Sequence, residues 1–335
     1  MALPDILKGR LSVPVVAAPL FIISGPELVI AQCKAGVVGS FPSLNARGEG
    51  EFELWLIQIK QELDDYNQAN PDKPAAPFAV NQIVHKSNNR LEEDLALCVK
   101  HEVPIVITSL GARVDVNDAI HSYGGIVWHD VINNMFAKKA IARGADGLVA
   151  VAAGAGGHAG TLSPMALIQE IREWFDGTLL LSGSIASGAA ILGAQAMGAD
   201  LGYIGSAFIS TTEARAAEDY KQAIVDYGAD DIVYSNLFTG VHGNYLKPSI
   251  KNAGMDPDNL AESDPSKMNF GSGGNTDSKA WKDIWGCGQG IGAIRSVRTS
   301  ANFVASLVAE YNSAYQRLEN LKNEGKNPFI KSSPV

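Results

Sequence analysis

The stretch GAGGHAGTLSP, residues 154–164, sets one histidine, His158, among four glycines directly after an apolar run. An imidazole changes charge near neutrality, so it can orient an anion or accept a proton. Neighbouring glycines let backbone come close to a flat ligand. A dinucleotide-binding turn, a connector and a loop holding His158 over a cofactor all begin this way. Residues 154–159 satisfy G-x-G-x-x-A, with Asp176 following at roughly the spacing of a ribose-binding acid. The fingerprint is nevertheless set aside. It should open a helix, whereas the predicted helix starts later, with Ser163 as N-cap and Pro164 in its first position. Asp176 also precedes the next strand, in a DG turn. What remains is a loop from which His158 projects at the carboxyl end of a strand, with a solvated loop histidine as the plain alternative.

Two later segments strengthen the first of these. SGSIASG (182–188) and YIGSAF (203–208) close successive apolar runs with small residues that expose backbone N–H groups. A helix predicted to begin near Ser187 aims its positive end at the same place. Neither segment contains Lys or Arg, so a phosphate there would be held by amides and by the hydroxyls of Ser184 and Ser206. Tight glycine packing at helix–strand corners is the competing explanation. His129 ends another run and lines either a pocket or the structural interior. His242, in TGVHGNY, reaches substrate from a later lobe or is solvated. Gln289, in GCGQG, sits in a second Gly-rich turn before the last helix. His85, His101 and His121 have no matching partners in the sequence and fall at surface or helix-end positions.

The elements that must position these residues have a regular rhythm. Apolar runs begin at 13 (VPVVAAP), 37 (VVGSFP), 78 (FAVNQI), 105 (IVITSL), 126 (IVWHDV), 147 (GLVAVAA), 179 (LLLSGSI) and 201 (LGYIGSAF). They are continuous rather than alternating, as strands covered on both faces are, and each interval leaves room for a crossover helix. NNRLEEDLALCVKHEV, NMFAKKAIARGA and SPMALIQEIREWF carry helical apolar spacing. Eight alternations predict an α/β fold, a TIM (β/α)8 barrel, with a doubly wound open sheet as the second choice. After residue 215 the rhythm breaks and Gly, Asn, Asp and Ser rise. The expected organisation is a barrel from 1–215 and 285–335 with an inserted lid or substrate lobe from 216–284. The final amphipathic segment would close the barrel's outer ring. Trp281 and Trp285 would pack the lobe on the barrel or form an oligomer contact, so a homo-oligomer is left open.

Composition narrows the function classes. With 335 residues, 19% charged and 46% hydrophobic, the chain can bury a large core. A net charge of -9 without Lys/Arg clusters argues against nucleic acid as a partner. Cys33, Cys98 and Cys287 show neither CxxC nor zinc spacing and read as reduced thiols of a cytoplasmic protein, with no metal expected. No signal-peptide pattern is present, and the early apolar segment is interrupted by Pro14 and Pro19, so no membrane span is expected.

Taken together, AGGHAG, SGSIASG, IGSAF with TTEA, and GQGIG resemble the nitronate monooxygenase family, formerly called 2-nitropropane dioxygenases, across most of the chain. The resemblance implies an FMN-containing TIM barrel with a smaller inserted domain, and a catalytic histidine at His158 near the reactive ring. It further implies that Gly156 contacts FMN and that Gly183, Ser184, Tyr203, Ile204, Gly205 and Ser206 bind the phosphate arm. Asn81 would reach the flavin from the third strand, Ala18 would supply backbone beneath the ring, and the Gln289 turn would return to the cofactor. The partners would be a small-molecule nitronate and O2, giving a carbonyl compound and nitrite. Departures from the family pattern are Ser184 for a second Gly, Val151 for a glutamine, and Asp130 where some relatives carry a lysine. The alternative activities are an NAD(P)H-dependent FMN reductase of quinones or enoyl thioesters, and a non-catalytic flavin- or phosphate-binding protein.

Overall fold

A computed structural model of the chain describes residues 3–263 and 283–323. Parallel strands β1 (Val15–Ala17), β2 (Gly39–Pro42), β3 (Phe78–Ile83), β4 (Ile105–Ser109), β5 (Ile126–Val131) and β6 (Gly147–Val151) are followed by a two-residue strand β7 (Gly157–His158) that leaves the sheet. Strands β8 (Thr178–Ser182) and β9 (Leu201–Ile204) complete it. The order is β1-β9-β8-β6-β5-β4-β3-β2. A Val16–Val38 bridge joins its two ends, with Ala17 N–H donating to Val38 O at 2.8 Å. The sheet is therefore a closed TIM barrel, and the open-sheet alternative is excluded. All eight apolar runs of the sequence became its staves.

Seven helices cover the strands: α1 (Pro26–Ala35), α2 (Glu51–Ala69), α3 (Leu91–Lys100), α4 (Val114–His121), α5 (Asn134–Ala142), α6 (Pro164–Arg172) and α7 (Gly188–Met197). Local chemistry sets their ends. Ser187 Oγ accepts from Ala190 N–H at 3.2 Å to cap α7, which stops at Gly198 with φ 116°. Pro164 occupies the first turn of α6 as expected, although the Ser163 side chain makes no capping bond. Two short helices, α8 (Ser206–Ile209) and α9 (Glu218–Asp226), follow β9. Tyr220, Ala223 and Ile224 of α9 lie in the same core as the helix–strand layer.

Next come β10 (Ile232–Ser235), β11 (Gly243–Leu246) and α10 (Lys247–Asn252), and the last described helix is α11 (Ser300–Asn323). Strands β10 and β11 pair antiparallel, and β11 pairs in turn with β7. The His158 loop thus supplies the third strand of a small sheet. Tyr245, Ile250 and Ile284 form a cluster of their own there, joined by Val233, Phe238, Met255 and Leu260. The expected lobe at 216–284 includes 264–282, which lie outside the described residues, as does Trp281. Trp285 stacks on Tyr220 at 4.9 Å and 7°, fixing the returning chain to α9. Helix α11 completes the outer ring beside α7: a Cβ on Gly188 would lie 2.1 Å from Tyr311 N, so only glycine permits this crossing. No described helix is long and apolar enough to cross a membrane.

Candidate active site at the barrel mouth

Strand parity decides what faces the barrel interior. Val16, Val38, Ala79, Ile105, Ile107, Trp128, Val149, Leu180 and Leu201 form one interior apolar cluster. On the same parity, nearer the carboxyl ends, stand Ala18, Asn81, Ser109, Asp130, Val151, Ser182 and Tyr203. The interior therefore turns from apolar to mostly polar at its carboxyl rim, where barrel enzymes place their chemistry. Backbone strain collects there too. Of the four non-glycine residues with positive φ among the described residues, Ile22 (60°), Leu110 (61°) and Ser184 (56°) lie in loops leaving this rim. Asn45 clamps the first of these loops: its Oδ1 accepts from Ile22 N–H at 2.8 Å, and its Nδ2 donates to Leu20 O and Ser24 O.

At the ends of β6, β8 and β9 lies a narrow cleft. Gly156, Gly183, Ser184, Tyr203, Gly205 and Ser206 all line it, and none of its lining residues is charged. Three chain segments meet there because they lack side chains. Ser206 Oγ accepts from Gly288 N–H at 2.8 Å, and Gly154 O accepts from Gln289 N–H at 2.9 Å. A Cβ on Gly156 would come within 2.7 Å of Gly288 N, and one on Gly183, at φ 138°, within 2.8 Å of Ala153 O. The second Gly-rich turn is thus brought to the first. First-turn amides of α8, at Ser206 and Ala207, have no acceptor within their helix. Ala18 N–H donates to Ile204 O at 2.8 Å, and a Cβ on Gly205 would sit 3.5 Å from Ala18 Cβ. Ile204 itself turns its side chain into the outer core.

His158 is held by register. It pairs with Gly243 across β7 and β11, and Ala159 N–H donates to His242 O at 3.2 Å. Its Nε2 lies 3.1 Å from Thr239 Oγ1. That hydroxyl also donates to Val241 O at 2.9 Å and accepts from Val241 N–H at 3.2 Å, which fixes it beside the ring. Burial lowers the imidazole's pKa to about 4, which leaves it neutral at pH 7. Asn244 Nδ2 donates to Ala155 O at 2.7 Å, tying the small sheet to the cleft.

Other histidines fall elsewhere. Of the two places open to His129, the substrate pocket and the structural interior, its parity selects the second: it enters the helix–strand layer, where Nδ1 lies 2.6 Å from Thr108 Oγ1 and burial lowers its pKa to about 4. The next residue, Asp130, faces the interior instead. His242 is exposed and stacks on Tyr234 at 5.1 Å. His101 and His121 do sit at helix ends, yet both have carboxylate partners at 2.8 Å, Glu53 and Asp146. Asn81 is brought to the rim, where Nδ2 donates to Ile107 O at 3.0 Å and to Ser109 Oγ at 2.8 Å. Ser109, Asp130, Thr239 and Asn244 were missed as site residues. Only Asp130 left a trace in the sequence, as a departure from the family pattern.

The chain matches the family model described as nitronate monooxygenase over residues 5–310. A nitronate monooxygenase of Paraburkholderia phytofirmans is 24% identical over 357 residues, covering 92% of this chain and 95% of that protein. Among solved structures, FabK from Thermotoga maritima superposes with a TM-score of 0.74 at 19% identity, covering 94% of this chain and 97% of that one. Nitroalkane oxidase from Streptomyces ansochromogenes gives 0.73 at 21% identity, covering 94% and 100%. At such identities the structural likeness speaks for the barrel alone.

Proposed function

The chain belongs to the nitronate monooxygenase family, and from that premise we propose that it binds FMN and oxidises alkyl nitronates with O2 to carbonyl compounds and nitrite. It is a flavin-dependent oxidoreductase. The observation that carries the finer reading is the convergence of the glycine-lined cleft and the His158 strand on one barrel rim. The residues present fit the phosphate arm of a flavin. Gly156 and Gly183 let backbone close on backbone at the cleft's edge, where a Cβ would collide with Gly288 N or Ala153 O, and amides with the Ser184 and Ser206 hydroxyls supply donors in a lining without a cation.

FMN, when bound, supplies the electron transfer. The protein's share is binding, orientation and proton control. Gly183, Ser184, Gly205 and Ser206 would hold the phosphate, with Tyr203 and Ile204 backbone beside it. Gly156 and Ala18 would let backbone approach the ring, Asn81 would reach it from β3, and Gln289 would close the turn above. His158 is neutral at pH 7 and would orient the substrate or accept an α-proton from a nitroalkane. His242 is the lobe residue proposed to meet substrate. Residues 216–284 are proposed as the lid-forming lobe.

Aerobic turnover of a nitronate with nitrite detection tests this, run beside anaerobic mixing with NADH. Nitrite formation, with flavin bleached by nitronate and not by NADH, is expected. Rapid bleaching by NADH without nitrite would transfer the chain to the reductases.

A further inference from the structure

From Asn81 a relay of side chains runs on along the mouth to Ser109 and Asp130, two residues to which the reading above gives no role. Ser109 Oγ accepts from Asn81 Nδ2 at 2.8 Å and donates its single proton to Asp130 Oδ2 at 2.6 Å. Asp130 Oδ1 is buried and has no hydrogen-bond partner among the described residues. A buried carboxyl oxygen without a partner is costly unless a ligand or a proton completes it. Tyr203, from β9, is the titratable group that senses its charge. Strand β4 presents Ser109 to it and β6 presents Val149 and Val151, none of them ionisable. Asp115, Asp118 and His121 of α4, and Lys138 and Lys139 of α5, lie on the outer side of β5 with His129. Burial raises the Asp130 pKa to about 6 against the Ser109 bond, and no cation contributes.

The cleft on the facing side also lacks Lys and Arg. An anion held there shares one poorly solvated mouth with this carboxyl. Two like charges so placed repel by enough to change an affinity about tenfold. We propose that Asp130 is a proton-coupled binding residue: the anionic flavin enters with Asp130 protonated on Oδ1, whose O–H then donates a hydrogen bond to the ligand. The proton comes from solvent and no covalent bond changes. This rests on the FMN reading and adds to it a residue that ties cofactor affinity to pH.

The test is titration of flavin-free protein with FMN between pH 5.5 and 8.5, followed by quenching of flavin fluorescence, in wild type and Asp130→Asn. The FMN phosphate itself titrates near pH 6, equally for both proteins, so the ratio of their dissociation constants is the readout. Wild type over variant should be near one at the acid end and rise to about tenfold at the alkaline end. Ser109→Ala removes the bond that lowers the Asp130 pKa and should move that rise to higher pH, which a merely structural carboxyl would not do. Should Asp130→Asn not fold, proton uptake on mixing wild type with FMN at pH 7 decides: uptake no larger than the phosphate accounts for overturns the proposal. A flat ratio also overturns it while leaving FMN binding intact. If wild type binds no FMN at any pH, the flavin reading fails and the proposal with it.

Discussion

The two sides of this barrel mouth are built from different materials. At the ends of β6, β8 and β9 the surface is mostly backbone: glycines, exposed amides and three serine hydroxyls, with no charge. At the ends of β3, β4 and β5 it is side chain: Asn81, Ser109 and Asp130 in hydrogen-bonded series, ending in an unpartnered carboxyl oxygen. The first side suits a group that is always anionic. Amide dipoles are fixed and cannot titrate, so any pH dependence on this side comes from the ligand's own phosphate. The second side suits control, because its end group sits near a protonation boundary.

The contrast is sharpest at His158, which belongs to neither side. His158→Ala should lower nitronate turnover by about 100-fold or more while the flavin absorbance of the purified protein is retained. Loss of the flavin along with activity would mean that the histidine helps build the cofactor site.

The next largest effect is on stability and follows from Asp130. Its folded pKa, about 6, lies above the ordinary 3.8, so the folded state holds this proton more tightly than the unfolded chain. That contribution is fully present below pH 3.8 and is lost as pH rises through 6. Asp130→Asn should therefore be more stable than wild type by roughly 2–3 kcal/mol at pH 8 and about equal to it below pH 4, in urea unfolding. Equal stability at both ends would remove Asp130 as a titrating group. Burial of His129 and His158 works the opposite way. Their pKa values of about 4 lie below the usual 6.5, so wild type should lose stability as pH falls from 6.5 through 4.

The smallest effect tests the backbone side. Ser184 holds φ at 56°, a conformation that glycine adopts without strain. Ser184→Gly should stabilise the fold by about 0.5–1 kcal/mol and weaken FMN binding through loss of a hydroxyl. Tighter binding would show that strain, rather than the hydroxyl, governs this corner.

The backbone side was legible in the sequence because glycine spacing is local: AGGHAG, SGSIASG and IGSAF each mark a turn where side chains are excluded, whatever the chain does elsewhere. Eight continuous apolar runs likewise announced eight staves covered on both faces. The side-chain face was not legible. His129 and Asp130 are adjacent in the sequence, equally polar and equally placed at a strand end. A histidine drew attention as the usual agent of proton transfer, yet the pleat sent it outward.

What the sequence alone determined, then, was where backbone must come close and how many strands must be buried, since both follow from residue size and local apolar pattern. Barrel closure determined the rest. Joining β1 to β2 through Val16 and Val38 set which parity faces inward, and with it placed Asn81, Ser109, Asp130 and Tyr203 around one mouth. Alternate residues of a strand point to opposite faces, so no count along the chain could choose between His129 and Asp130 until the sheet had curled upon itself.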